Sequence, residues 1–385
     1  MDIRKESLKR HYKWHGKIEI KSRVKVSDAK KLSLAYTPGV AESCIAIEKD
    51  PNLSFELTRR WNTVPVITDG TAVLGLGDSG PLAGMPVMEG KCALFKEFGD
   101  VDAYPLCINS KDTDTIVNTI KLLSGSWGGV NLEDIAAPRC FEIEKRLIDE
   151  LDIPVFHDDQ HGTAIVVAGA LINALKLANK KLESIKVVIN GAGAAGISIA
   201  KFLLKLGVND IILCDKFGII AKGDKNLNDS QKAMAEVTNL NNLKGRLALA
   251  MKNRDVFIGV SGPNCVSKEM VESMNEKAII FTLANPVPEI NPKLAKEANA
   301  FIVGSGSSVY PNQINNALVF PGLFRGALDA KAKKINDEMM IAAAYAIASY
   351  VKEPTVDYIL PFAYDKEAHK YLASKVKEAA LNTNA

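Results

Sequence analysis

Residues 185–207 read IKVVINGAGAAGISIAKFLLKLG, and the order of parts in this stretch decides the fold. The apolar, β-branched run from Ile185 to Asn190 predicts a buried strand. Gly191, Gly193 and Gly196 follow, and then a periodic apolar stretch predicts a helix ended by Gly207. Gly191 permits a tight turn, Gly193 lets a pyrophosphate approach the backbone, and Gly196 lets helix and strand pack closely. The helix amino terminus adds unpaired N–H groups and a favourable dipole for the phosphates. The predicted binding loop comprises Gly191, Ala192, Gly193, Ala194, Ala195 and Gly196. A second strand, Ile211 to Asp215, ends in an acid 24 positions beyond Gly191. That acid suits a ribose hydroxyl and points to NAD, whereas Lys216 and Lys222 just beyond it could hold a 2′-phosphate, so NAD and NADP both stay open. The competing reading is a glycine turn that merely packs a helix on a sheet, which requires neither all three glycines nor Asp215.

Around this stretch, strand and helix patterns alternate, which predicts a parallel sheet. Strands are expected at Ile185 to Asn190, Ile211 to Asp215, Val256 to Val260, Ala278 to Leu283 and Phe301 to Val303, with a long apolar helix over Thr163 to Leu177 ahead of them. The stretch from Ala327 to Tyr350 reads as helical and as packing back on the preceding domain. The 385 residues call for two α/β domains, 1–160 and 161–385, without a flexible linker, and so for a cleft. In the first, Val64 to Asp69, Ala72 to Gly75, Val130 to Leu132 and Pro154 to Phe156 read as short buried strands, the first two followed by turn punctuation from Gly75 to Pro86.

A net charge of +3 is small for this length and gives no reason to expect nucleic acid or an anionic membrane as partner. The basic excess gathers between Met1 and Lys31, where a solvated or subunit-contacting arm is expected. That arm lacks a signal-peptide core, and no run of about 18 apolar residues follows, so a cytoplasmic location is expected. Cys44, Cys92, Cys107, Cys140, Cys214 and Cys265 are scattered without CxxC spacing, as buried free thiols would be.

Two acidic clusters end predicted strands: Glu133 and Asp134 in GGVNLED, and Asp158 and Asp159 in PVFHDDQHGTA. Clustered carboxylates are costly unless a cation neutralises them, and oxygen ligands without cysteine favour Mg²⁺ or Mn²⁺. Solvated acidic loop ends are the bland alternative. His157 and His161 lack the Glu of HExxH and a third nitrogen ligand, so they read as structural rather than zinc ligands. Lys91, in MEGKCALF, lies among glycine and apolar residues; desolvated there, it would lose its proton near neutral pH and serve as a general base, unless it is an exposed loop lysine. Tyr36, before the Thr-Pro-Gly turn of AYTPGV, is either a proton donor held toward a cleft or a core tyrosine.

Taken in order, AYTPGVAE (35–42), the run VITDGTAVLGLGDSGPLAGMPVMEGKCALFKEFGDVDAYPLCIN (66–109), NLEDIAAPRCFEIE (131–144), FHDDQHGTA (156–164), NGAGAAG (190–196), TLANPVPE (282–289) and NQINNALVFPG (312–322) resemble the malic enzyme family in its compact bacterial form. The resemblance implies oxidative decarboxylation of L-malate to pyruvate and CO₂ with NAD or NADP and a divalent metal, in a homodimer. It implies Lys91 as general base, Tyr36 as general acid, Asp158 as the group orienting Lys91, and Glu133, Asp134 and Asp159 as metal ligands. Asn285 resembles an asparagine beside nicotinamide and substrate, as does Asn315 or Asn316. Lys91 would take the C2 hydroxyl proton as hydride leaves C2, and Tyr36 would protonate C3 after CO₂ departs. Larger eukaryotic-type members carry an arginine for a malate carboxylate in the DG…LGLGD motif, where this chain has Thr71 and Ala72, so that carboxylate must be bound elsewhere. The chain also stops without the phosphotransacetylase-like extension of some bacterial members. The alternatives are decarboxylation of oxaloacetate without net redox, another 2-hydroxy acid as substrate, or a dinucleotide-sensing protein that is no enzyme.

Overall fold

The computed structural model describes residues 3–73 and 76–385. The chain begins with an arm of short helices, α1 (Ile3–Trp14), α2 (Ala29–Ala35), α3 (Val40–Lys49) and α4 (Ser54–Leu57), none of which has a buried residue. Local bonds hold it: the Asp28 carboxylate caps α2 by accepting the Lys31 N–H at 2.9 Å.

Four parallel strands follow, β1 (Thr63–Thr68), β2 (Asp102–Cys107), β3 (Val130–Leu132) and β4 (Val155–His157), in the order β2-β1-β3-β4. Their crossovers are α5 (Pro81–Gly99), α6 (Thr113–Leu123) and α7 (Arg139–Glu150). From β1 the chain runs outward to β2 and then returns to the other side of β1 as β3, so a crevice opens at the carboxyl ends of β1 and β3. Edge strand β2 was not anticipated, because its half-buried DAYPLC carries Pro105, which an edge tolerates. The glycine and proline punctuation up to Pro86 is corrected in part. Pro81 opens a 19-residue helix at its first position, where its missing N–H costs nothing, and Pro86 lies inside that helix. Of the expected strand at Ala72 to Gly75, Val73 makes one isolated bridge to Gly77, whereas Leu74 and Gly75 lie outside the described residues.

The second sheet, β10-β9-β8-β5-β6-β7, contains β5 (Lys186–Asn190), β6 (Asp210–Asp215), β7 (Gly218–Ile219), β8 (Val256–Gly259), β9 (Ile279–Thr282) and β10 (Ile302–Ser305). All pairs are parallel except that of β7 with β6. The five expected strands are present with ends moved by one or two residues. Helices α8 (Asp158–Ala178), α9 (Ala194–Lys205), α10 (Asp229–Val237), α11 (Leu247–Met251), α12 (Lys268–Glu272) and α13 (Pro292–Glu297) accompany them. α8 begins five residues before the expected Thr163, with Asp158 and Asp159 in its first turn, where the helix dipole favours acids. By length and composition α8 would also pass for a membrane span, contrary to the sequence reading, but 72% of its apolar window is buried inside the protein.

The helical tail is three helices, α14 (Phe320–Asp329), α15 (Asp337–Tyr350) and α16 (Lys366–Thr383). The single helix expected over Ala327 to Tyr350 is thus corrected: the chain turns at Lys331, φ +54°, and restarts where Asn336 caps α15. It is α14, mostly ahead of that stretch, that packs on the first domain, where Phe320 and Phe324 meet Phe95 of α5 at ring centroid distances of 4.6 and 5.2 Å, whereas α15 packs on α8 and α16. All six cysteines are free, but Cys44 and Cys265 are exposed rather than buried.

Candidate active site

The carboxyl ends of β1, β3 and β4 converge with the middle of α5. Lys91 is buried, and its ammonium lies 2.5 Å from Glu133 Oε1 and in a short ion pair with Asp158 Oδ2. The ring of Phe320 covers it, with Nζ 4.4 Å from the centroid. The exposed-loop alternative is thereby excluded, but the expectation of a proton lost near neutral pH is corrected. Burial does lower the affinity for that proton, yet the charges of Asp158, Glu133 and Asp159 outweigh it and hold the Lys91 pKa above the ordinary lysine value. The carboxylates answer in kind. Burial, then crowding by Asp159, Asp158 and Asp134, raises Glu133 well above the carboxylate range although Lys91 opposes the shift, and burial raises Asp158 likewise.

Glu133, Asp134 and Asp159 each offer an oxygen, and these atoms lie within 4.8 Å of one another. Asp134 follows β3 at φ +52°, and its N–H donates to Asp159 Oδ2 at 2.8 Å, which ties the two acidic strand ends together. Three close carboxylates, mostly buried and near a single lysine, fit a hard divalent cation, and the oxygen-only donor set matches Mg²⁺ or Mn²⁺.

The glycines of the second domain differ in what surrounds them. A Cβ on Gly191, φ +119°, would lie 2.3 Å from Val260 O, and one on Gly196 1.7 Å from Gly191 O. One on Gly193 would meet nothing within 4 Å, so open space lies over the loop where α9 begins. Ala192, within that loop, is buried, and Ala194 and Ala195 lie in the first turn of α9. The sheet order reverses between β5 and β8, so the loop opens into the crevice that such a switch creates. At the end of β6, Asp215 Oδ1 accepts the N–H groups of Phe217 and Gly218 at 2.7 and 3.2 Å. Lys216 lies over the ring of Phe217 and Lys222 pairs with Glu236 at 3.1 Å.

Two family models match the chain: the malic enzyme N-terminal domain over residues 15–148, and the malic enzyme NAD binding domain over residues 160–381. The chain belongs to the malic enzyme family. It is 54% identical to a bifunctional malic/malolactic enzyme of Bacillus subtilis, over 100% of this chain and 94% of that one. It is 53% identical to an NAD-dependent malic enzyme of Geobacillus stearothermophilus, over 96% and 77%. An NAD-dependent malic enzyme from Thermotoga maritima superposes with a TM-score of 0.94 at 48% identity, covering 96% of this chain and 98% of that structure.

The remaining malic enzyme motifs distribute unevenly. Asn285 is exposed at the end of β9, its amide donating to Leu283 O at 3.3 Å. The structure separates Asn315 from Asn316. The Asn315 side chain caps a single helical turn by accepting the Ala317 N–H at 2.9 Å, whereas Asn316 Cβ packs 3.3 Å from the Cβ position of Gly162, on the first turn of α8. Tyr36 is 65% exposed, on the arm. Three residues were not singled out beforehand. Gly162 makes room for Asp158. Glu144 accepts the His157 N–H at 2.9 Å and meets His161 Nε2 at 3.0 Å, so both histidines are structural neighbours of the acidic cluster. Arg139, in an ion pair with buried Asp69 and 3.1 Å from Thr71 Oγ1, braces the end of β1. Glu144 and Arg139 lie in the NLEDIAAPRCFEIE motif, but their helical spacing gave no sign of what they would meet.

Proposed function

We propose that this protein oxidatively decarboxylates L-malate to pyruvate and CO₂ while reducing a nicotinamide dinucleotide, working as a cytoplasmic homodimer. The observation that carries this reading is Lys91, buried between Asp158 and Glu133 beside three carboxylates that fit a divalent cation. Asp158 holds Lys91 from α8, which fixes Nζ beside the substrate; the neutral amine, formed once the ammonium has passed its own proton to the adjacent Asp158 carboxylate, would receive the C2 hydroxyl proton as hydride leaves. Glu133, Asp134 and Asp159 would hold a divalent cation, which would supply a Lewis acid for the charge that develops on the C2 oxygen as the C4 carboxylate leaves. Phe320 excludes water from the Lys91 side of the cleft. Asn316, beside the first turn of α8, is the member of its pair assigned to substrate, since the Asn315 side chain is occupied by its cap. Asn285 borders the nicotinamide, and the Gly191–Gly196 loop takes the pyrophosphate. Tyr36 returns a proton to C3.

Asp215 keeps Oδ2 for a ribose hydroxyl while Oδ1 holds its own turn, and the lysines beyond it are engaged elsewhere, which supports NAD over NADP. Initial rates with malate and Mn²⁺, run with NAD and NADP in parallel, should give pyruvate and reduced NAD, and nothing with a chelator. Equal rates with chelator present refute the metal site. Asp215→Ser should shift the ratio of catalytic efficiencies toward NADP; an unmoved ratio removes Asp215 from specificity. The Bacillus subtilis relative bears a bifunctional malic/malolactic name. A second reading, malate to lactate and CO₂ without net redox, is tested by measuring lactate in the same reactions.

A further inference from the structure

We propose that the buried Glu289 carboxylate is the positioning residue for the nicotinamide end of the crevice. It fixes the two loops that frame that end and gives them a negative charge, which favours the oxidised, cationic ring over the reduced, neutral one. The inference rests on the reading that Asn285 borders the nicotinamide.

Glu289 is wholly buried, and both of its oxygens accept hydrogen bonds. Oε1 accepts the Ser261 N–H at 2.9 Å and the Ser261 hydroxyl at 3.4 Å, while Oε2 accepts the Thr282 hydroxyl at 2.9 Å and the Ala284 N–H at 3.1 Å. Ser261 lies in the loop after β8 and Ala284 in the loop after β9, so one carboxylate joins the two. The main chain repeats the link: Glu289 O accepts the Val266 N–H and Pro288 O the Asn264 N–H, each at 3.0 Å. Gly259, the last residue of β8, makes the room, since a Cβ there would lie 2.4 Å from Glu289 Cδ.

This clamp sits at the point where the sheet order reverses. Asn190, at the end of β5, donates to Ser261 Oγ at 2.8 Å, and a Cβ on Gly191 would lie 2.3 Å from Val260 O, so the first of the two loops abuts the glycine loop. Ser261 and Asn285, one on each loop, are exposed, with the carboxylate buried behind them.

Among the described residues, Glu289 has no ion pair with a lysine, arginine or histidine. Hydrogen bonds satisfy its oxygens but leave the net charge, which is costly in a buried place unless a cation meets it. The oxidised nicotinamide ring brings a positive charge and loses it on accepting hydride. At an effective dielectric of about 20, a unit charge within about 12 Å of a cation changes its binding by about tenfold or more. The field reaches across the loop after β8: burial, with the charge of Glu289 added, holds the exposed Cys265 thiol above its ordinary pKa, although a hydrogen bond with Ser261 opposes the shift.

The test is equilibrium binding of NAD⁺, NADH and ADP-ribose, which lacks the nicotinamide, to the full chain by titration calorimetry. Glu289→Gln should weaken NAD⁺ about tenfold relative to NADH and leave ADP-ribose within twofold of wild type. Glu289→Asp, which keeps the charge, should keep the ratio of NAD⁺ to NADH affinity within about twofold. A ratio unmoved by Glu289→Gln, or lowered as far by Glu289→Asp, overturns the proposal. ADP-ribose weakened as much as NAD⁺ also overturns it, because the whole crevice is then disturbed. Asn285→Ala separates the underlying reading: it should weaken NAD⁺ but not ADP-ribose. If it weakens neither, the Asn285 reading fails and the proposal with it; if it behaves as expected while Glu289→Gln leaves the ratio unmoved, the proposal alone fails. Should Glu289→Gln not fold, as checked by thermal unfolding, Glu289→Met removes the charge without adding a donor, and the same outcomes apply.

Discussion

Asp158 shows how a single missing side chain can place a reactive group. A Cβ at Gly162 would lie 1.8 Å from Asp158 Oδ1, so the carboxylate occupies the space that any other residue one turn further along α8 would fill. Glycine weakens a helix interior by about 0.5–1 kcal/mol relative to alanine, and here that cost sets the partner of Lys91. Gly162→Ala should therefore push Asp158 off the Lys91 ammonium and lower kcat about 10²-fold, the scale of a misplacement near 1 Å. Reduced-cofactor binding, followed by fluorescence, should stay unchanged because the second sheet is untouched. A kcat within threefold of wild type would show that Asp158 does not position Lys91. From MEGKCALF alone, Lys91 was open between a desolvated and an exposed lysine, and the fold buries it. The direction of its pKa was not legible there, since that depends on carboxylates 42 or more positions later in the chain.

At the scale of elements, Glu144 joins α7 to the junction of β4 and α8. Burial raises its pKa, but His161, His157 and the His157 N–H outweigh this and lower it below the ordinary 4.5. Burial lowers His161 from 6.5, but Glu144 outweighs that and raises it. A lowered acid contributes stability above pH 4.5 that is lost as pH falls through its folded pKa. A raised histidine contributes stability that is full below pH 6.5 and lost as pH rises through its folded pKa. The pair therefore stabilises most between about pH 4.5 and 6.5. Glu144→Gln should cost more stability at pH 6 than at pH 9 in urea unfolding, and a difference that does not vary with pH would refute the pairing. The mutation also loosens the junction of β4 with the first turn of α8, which carries Asp159, so weaker Mn²⁺ binding is expected alongside.

For the whole molecule, α14 decides how the two sheets are held. Phe324 is fully buried and meets Phe95 of the first domain and Phe156 of β4 edge-on, at 5.2 and 5.9 Å, while Arg325 Nη1 donates to Asn62 Oδ1 at 2.6 Å. Phe320, one turn earlier, covers Lys91, so the helix that docks the domains also closes one wall of the cleft. Phe324→Ala should destabilise by about 3–5 kcal/mol in denaturant unfolding. It should also raise KM for malate more than KM for the cofactor, because the wall moves and the glycine loop does not. A loss under about 1 kcal/mol would mean that this contact does not join the domains.

Local physics reaches a definite distance into this protein. Runs such as IKVVIN and VFIG are buried on both faces of a parallel sheet, and glycines at 191, 193 and 196 answer to backbone sterics within a few residues. These features, with the acids that end β3 and β4, are therefore readable from the order of residues alone. Edge strand β2 and the turn at Lys331 escaped that reading because neighbours distant in the chain decide them: β2 exists by pairing with β1, and α15 restarts where it packs on α8. The same holds for chemistry. Residue types alone marked the two acidic clusters and Lys91 as candidates, since each brings its own charge and donor atoms, while the role of Asp158 and the choice of Glu133, Asp134 and Asp159 as ligands came from the resemblance to the malic enzyme family. Only the tertiary structure decided that Glu133 faces Lys91, that Asn315 rather than Asn316 caps a helical turn, and that Tyr36 is exposed on the arm. Charge is a property of a residue, whereas the field that sets its pKa, and the reach that lets it act, belong to whatever the fold brings within a few ångströms.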